Sequence, residues 1–124
     1  MIAVIFEVEP ADGQESTYLD IAAQLRPLLD EIEGFISVER FKSLTNPGKV
    51  LSLSFFESED AVARWRNTHE HRRAQSMGRA GVFAGYRLRI AHVIRDYGMQ
   101  DRAEVPGDSK SLVAGLSKNS TFRR

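Results

Sequence analysis

Between Trp65 and Arg79 the stretch WRNTHEHRRAQSMGR gathers the only Trp of the chain, two of its three His and four Arg. An imidazole titrates near neutrality, which makes His71 a candidate general base. A neighbouring guanidinium can steady a developing oxyanion, a role open to Arg72 and, from the last strand, to Arg89. Trp65, Phe83 and Tyr86 are of the type that lines an apolar ligand pocket. The same residues also have plainer uses. Trp65 follows Ala61 by four positions and Val62 by three, as a core anchor on a helix would. On an uninterrupted helix His69 lies near Trp65 and Arg72 or Arg73, while His71 points elsewhere. A break at Asn67-Thr68, moderately poor helix formers, would undo that phase. The His-x-His pair has no third ligand nearby, so no metal site is expected. His92 shares a strand face with Leu88 and Ile90 and reads as a satisfied core residue. Gly78, Gly81 and Gly85 are spaced too irregularly for a phosphate loop and suit a turn into the last strand.

These side chains belong to a chain of 124 residues, enough for one domain with a single core. It has no Cys, which excludes a thiol nucleophile, a thiolate metal site and a disulfide framework, and fits a cytoplasmic protein. The opening MIAVIFEVEP has no basic flank and is too short for a secretory leader. No apolar run approaches a membrane span, so no membrane association is expected. Net charge is zero but uneven. Residues 1–39 carry nine acids against Arg26, whereas residues 61–98 carry eight Arg against Glu70 and Asp96. Compensation between the halves, within or between subunits, explains this as simply as an anion-attracting patch does. Lys is sparse and no recognition motif is present, so nucleic acid is not an expected partner.

The pattern of elements is strand, helix, strand, strand, helix, strand. Residues 1–8 are apolar on both alternating sides, as in a strand covered on both faces. Thr17 is placed to cap the first helix, with Asp20 three residues later; Pro27 interrupts its apolar face and Gly34 ends it. GFISVERFKSL and VLSLSFFES form two strands around the TNPGK turn. Ser58 caps the second helix, which runs through Trp65 to about Gly78. YRLRIAHVIRDYG supplies the last strand. This order predicts an α+β, ferredoxin-like βαββαβ domain with an antiparallel sheet over residues 1–100. Leu51, Leu53 and Phe55, with Leu88 and Ile90, are expected to face the helices. The opposite face would carry Phe35, Phe41, Phe56, Ala91 and Val93 mixed with Ser52, Ser54 and Arg89. Such a mixed face suits a homodimer, with Glu39 and Arg89 as paired charges. Residues 101–124 form a C-terminal extension, an arm or mobile tail, with Val105, Leu112, Val113 and Leu116 as weak anchors.

The segment EGFISVERFKSLTNPGKVLSLSFFESEDAVARW (Glu33 to Trp65), with the Gly-Phe after helix one and the Trp in helix two, resembles the antibiotic biosynthesis monooxygenase (ABM) family. In weaker form the likeness extends to YRLRIAHVIRDYG. The resemblance implies a dimeric α+β barrel. It also implies a monooxygenase acting on a hydrophobic aromatic or quinol-type small molecule without a cofactor. In that route a base removes a proton, the carbanion or phenolate passes an electron to dioxygen, and a peroxide forms and collapses to a quinone. A non-catalytic ligand-binding or stress-associated dimer on the same scaffold is the alternative. Haem-degrading members place a Trp where Trp65 stands, but Gln75 occupies the position of their axial His, and Phe6 and Glu7 replace their first-strand Asn. Haem degradation is therefore the disfavoured third reading.

Overall fold

The computed structural model of the chain describes residues 1–109, the side chain of His69 excepted. Residues 1–92 make one compact unit, and the described residues from 93 onward belong to a second. In the first, the elements are β1 (Ile2–Pro10), α1 (Glu15–Leu29), β2 (Phe35–Lys42), β3 (Val50–Phe56), α2 (Glu59–Arg66), α3 (His69–Met77) and β4 (Phe83–His92). A π-type turn, Gly78–Val82, joins α3 to β4. The antiparallel sheet has the order β2-β3-β1-β4, the ferredoxin-like arrangement.

The barrel implied by the resemblance is corrected here. Among the described residues β2 and β4 each pair on one side only, so the sheet is open. Four strands twisting by about 20–25° each are too few to bring the two edges round to one another.

Local signals fix where the helices begin. α1 starts at Glu15, earlier than a Thr17 cap would allow, and its N-cap Gln14 makes no side-chain bond. The turn before it, through Gly13 at φ 75°, sets the start instead: Gln14 N–H donates to Ala11 C=O at 2.8 Å. Pro27 lies in the last turn of α1 without splitting it, and the helix stops at Leu29. Ser58 caps α2 as expected, its Oγ accepting from Ala61 N–H at 3.2 Å. The second helical region, expected to be continuous, breaks after Arg66. Thr68 Oγ1 donates to Trp65 C=O at 2.9 Å and accepts from His71 N–H at 3.1 Å, closing one helix and capping the next.

The sheet faces differ from expectation on β3. Register places Val50, Ser52, Ser54 and Phe56 in line with Val8, Phe6, Val4 and Ile2 on the helix side. Leu51, Leu53 and Phe55 point the other way, beside Ile5 and Glu7. Two apolar clusters lie under the helices. One joins Ile2 and Phe56 to Leu29, Ala61, Val62 and Trp65. The other joins Val8 and Val50 to Tyr18, with Phe6, Val82 and Phe83 against it. Ser52 and Ser54 fall between the clusters, where a leucine would have continued the core. Phe35 packs edge-on against Phe56, ring centroids 5.5 Å apart. It departs from the simple alternation because the β2–β3 register shifts between Phe35 and Ser37.

In the second unit Arg102 Nη1 donates to Gly98 C=O at 2.9 Å and its guanidinium lies over Tyr97 at 5.3 Å. Val105 is buried. Leu112, Val113 and Leu116 lie outside the described residues. No helix of the described residues is long and apolar enough to cross a membrane.

Candidate functional site

The gap left by the two serines is a cavity of about 290 Å³ between the sheet and the helices. That is close to the lower end of small-molecule sites, roughly 300–1,000 Å³. Val4, Phe6, Ser52 and Ser54 form its floor, and α1 contributes Tyr18, Ala22 and Leu25. It opens along edge strand β4, where the lining residues Tyr86, Leu88 and Ile90 are about half exposed. One wall is an aromatic cluster centred on Phe83, whose ring meets Phe6 and Tyr18 edge-on at 5.8 Å and Tyr86 at 6.1 Å. Gly78 allows that ring its place: a Cβ there would sit 2.3 Å from Phe83 Cε2.

Trp65 and His71 form another part of the wall, with ring centroids 5.1 Å apart. They meet because the chain breaks between them. On a continuous helix six residues place side chains about 120° apart around the axis, whereas the Thr68 cap restarts the helix in a new direction. Burial pushes the His71 pKa below the ordinary value of 6.5, helped by the positive charges of Arg72 and Arg66. The imidazole is accordingly neutral at physiological pH. Its Nδ1 is buried and has no hydrogen-bond partner among the described residues.

The remaining candidates separate. Phe83, Tyr86, Trp65 and His71 all line the cavity. Arg72 does not; it is exposed, and its guanidinium donates to the Asn67 side-chain oxygen. Arg89 pairs with Ile5 in register, on the face turned away from the helices, and its guanidinium meets Glu7 at 3.4 Å. His92, expected in the core, is exposed at the end of edge strand β4. Gln75 lines the cavity and offers an amide rather than an imidazole. Among the described residues the guanidinium groups that do border the cavity are Arg40, Arg66 and Arg79, of which Arg40 Nε is buried without a partner. Sequence reasoning overlooked Arg40, Ser52 and Ser54. The signal was the VLSLSFF pattern: serines opposite Phe6 and Val4 on a central strand mark a deliberate gap. Among the described residues no three His, Cys, Asp or Glu side chains are grouped to hold a metal ion. The site thus combines an apolar pocket, a neutral imidazole free of partners among the described residues and cationic groups at its margins, the components of proton abstraction with oxyanion stabilisation.

Comparison with known proteins bears on this geometry. The family model described as antibiotic biosynthesis monooxygenase matches residues 1–77, which include Trp65 and His71 but not the β4 wall. The chain is 52% identical over 93 residues to the jasmonate monooxygenase ABM of Pyricularia oryzae. That match covers 75% of this chain and 43% of the relative, so the chain spans less than half of the relative's length. It is 30% identical over 93 residues to the uncharacterized protein YqjZ of Bacillus subtilis, covering 75% of this chain and 79% of that protein. Among solved structures, Rv0793 of Mycobacterium tuberculosis superposes with a TM-score of 0.70 at 12% identity, over 78% of this chain and 98% of that one. At that identity the likeness concerns the fold alone, whereas the model match reaches the site itself: the chain belongs to the antibiotic biosynthesis monooxygenase family.

Proposed function

We propose that the chain is a monooxygenase that binds a hydrophobic aromatic or quinol-type small molecule in the cavity and oxygenates it without metal or flavin. One observation carries this reading: a neutral His71, with Nδ1 free of partners among the described residues, lies against Trp65 in the wall of an apolar pocket. His71 takes a proton from an activated C–H or phenolic O–H of the substrate. For a substrate with an activated CH₂, one electron then passes to dioxygen, and the radical pair closes a C–O bond to give a peroxide. Loss of water leaves a carbonyl, so one oxygen atom stays in the product and the other departs as water. The substrate's own CH₂ group supplies the electrons, and no external reductant enters the balance. The name of the Pyricularia relative adds jasmonate to the compounds worth offering.

The test is oxygen uptake with a panel of anthrones, naphthols, quinols and jasmonate, using the wild type and His71→Ala. Uptake above the protein-free rate, falling on the order of 10²–10⁴-fold in His71→Ala, is expected. Equal turnover in both proteins would discard His71 as the base. Ligand binding without uptake for any compound would make the chain a binding protein on the family scaffold.

The same reading includes a homodimer formed through the face turned from the helices. Apolar Leu51, Leu53, Phe55 and Ile5 stand there beside Glu7, Glu39 and Arg89, a surface of the kind that subunits cover. A monomeric mass in solution would contradict it.

A further inference from the structure

Accepting that the cavity is a ligand site, its ionisable lining is one-sided. Arg40, Arg66 and Arg79 border it together with His71, and among the described residues no Asp or Glu does. Arg40 differs from the other two arginines, whose residues are exposed. It lies on β2, paired with Ser52 of β3 on the helix-facing side of the sheet. Val38, two residues earlier on the same face, pairs with the buried Ser54. Directly opposed residues in an antiparallel pair hold their Cβ atoms about 4.5–5.5 Å apart, so the Arg40 and Ser52 side chains leave the sheet side by side, and both line the cavity with Ser54. Its Nε is buried with no acceptor among the described residues. A buried donor left without a partner is rare, and leaving a charged one so costs more than leaving a neutral one. Nε with one Nη makes the fork that grips a carboxylate through two parallel bonds. Surface arginines need no such explanation, since water solvates them.

We propose that Arg40, assisted by the Ser52 and Ser54 hydroxyls, anchors a carboxylate of the ligand, so that the cavity selects an apolar molecule carrying one negative charge. The inference rests on the proposed function for the existence of a ligand, but it adds a specificity that oxygenation alone does not require. Anchoring one end at the floor would leave the apolar body to lie between Phe83 and the Trp65–His71 pair.

Matched probes separate this inference from the reading beneath it. Isothermal titration with 1-naphthaleneacetate and with its methyl ester compares one apolar body with and without the charge. The wild type is expected to bind the acid at least tenfold more tightly than the ester. Arg40→Gln is expected to bring the two within twofold by weakening only the acid, and Arg40→Lys to keep part of the preference. Arg87→Gln, on the other face of the sheet, controls for net charge and should leave the preference intact. Equal binding of acid and ester by the wild type overturns the inference while leaving the ligand site standing. So does an Arg40→Gln protein that keeps the preference, or one that loses both ligands alike while remaining folded by circular dichroism. Binding of neither probe, together with no oxygen uptake from the substrate panel, would remove the ligand site and the inference with it.

Discussion

If the cavity is held open for a ligand, filling it should strengthen the fold and abolish function. Ser54 is the position to change, because it is buried on the cavity floor between the two apolar clusters. Ser54→Leu replaces one hydroxyl by three carbons. Burying those carbons contributes about 0.8 kcal/mol each, or about 2.4 kcal/mol. Immobilising the leucine costs about 0.5–1 kcal/mol of rotamer freedom, leaving roughly 1.4–1.9 kcal/mol of added stability. For a domain of this size that corresponds to a rise in Tm of roughly 4–9 °C. Urea denaturation gives the free energy, and titration with 1-naphthaleneacetate gives the expected loss of binding, at least tenfold. The gain and the loss must occur together. A Ser54→Leu protein destabilised by more than about 1 kcal/mol would mean that the space is already filled. A protein that still bound the ligand normally would mean that the ligand lies elsewhere.

Three further outcomes follow from the same geometry. Thr68→Ala removes the hydroxyl that closes α2 and caps α3, and should cost about 0.5–2 kcal/mol in urea melts; it should also move the His71 titration, followed by NMR, back toward 6.5, while Thr68→Ser leaves both nearly unchanged. Gly78→Ala drives a Cβ into the Phe83 ring, so calorimetry should record a loss of about 1–3 kcal/mol. Because the folded His71 is harder to protonate than an unfolded His, the unfolded state takes up the proton first as pH falls below about 6.5. Stability should therefore decline from about pH 7.5 down to the folded pKa and level off below it, and His71→Gln should decline less over that window in urea melts at stepped pH.

The order of elements was legible because hydrophobic period and turn residues are local signals: Ser58 announces α2, and TNPGK joins β2 to β3. The family resemblance was legible for the same reason, in a contiguous stretch ending at Trp65. The site was legible only in part. Trp65, His71, Phe83 and Tyr86 lie together on the cavity wall, yet the phase of a continuous helix would have separated the first two. The Thr68 hydroxyl and the Asn67 side chain, both bonded at the junction, accompany the break that brings them together, and composition only permits that break. The face of β3 was inverted for a different reason. Alternation assigns the richer apolar row to the core, and Leu51, Leu53 and Phe55 outweigh Ser52 and Ser54 on that criterion. The rule fails where the helix side holds a cavity and the opposite side is itself apolar. Arg40 was missed as a consequence, since its place opposite Ser52 has meaning only once the serines face the helices. The open sheet could not be read from a likeness to proteins described as barrels; it follows from the two unpaired edges, β2 and β4.

The claim that this cavity is where oxygenation occurs is tested most directly by isotope. Wild type and Ser54→Leu are incubated with the best substrate of the panel under ¹⁸O₂, and the product is weighed by mass spectrometry against a protein-free control. The account predicts one ¹⁸O atom per product molecule with the wild type and only the control level with Ser54→Leu. Equal labelled product from both proteins, or none above the control from the wild type with any substrate, would contradict it.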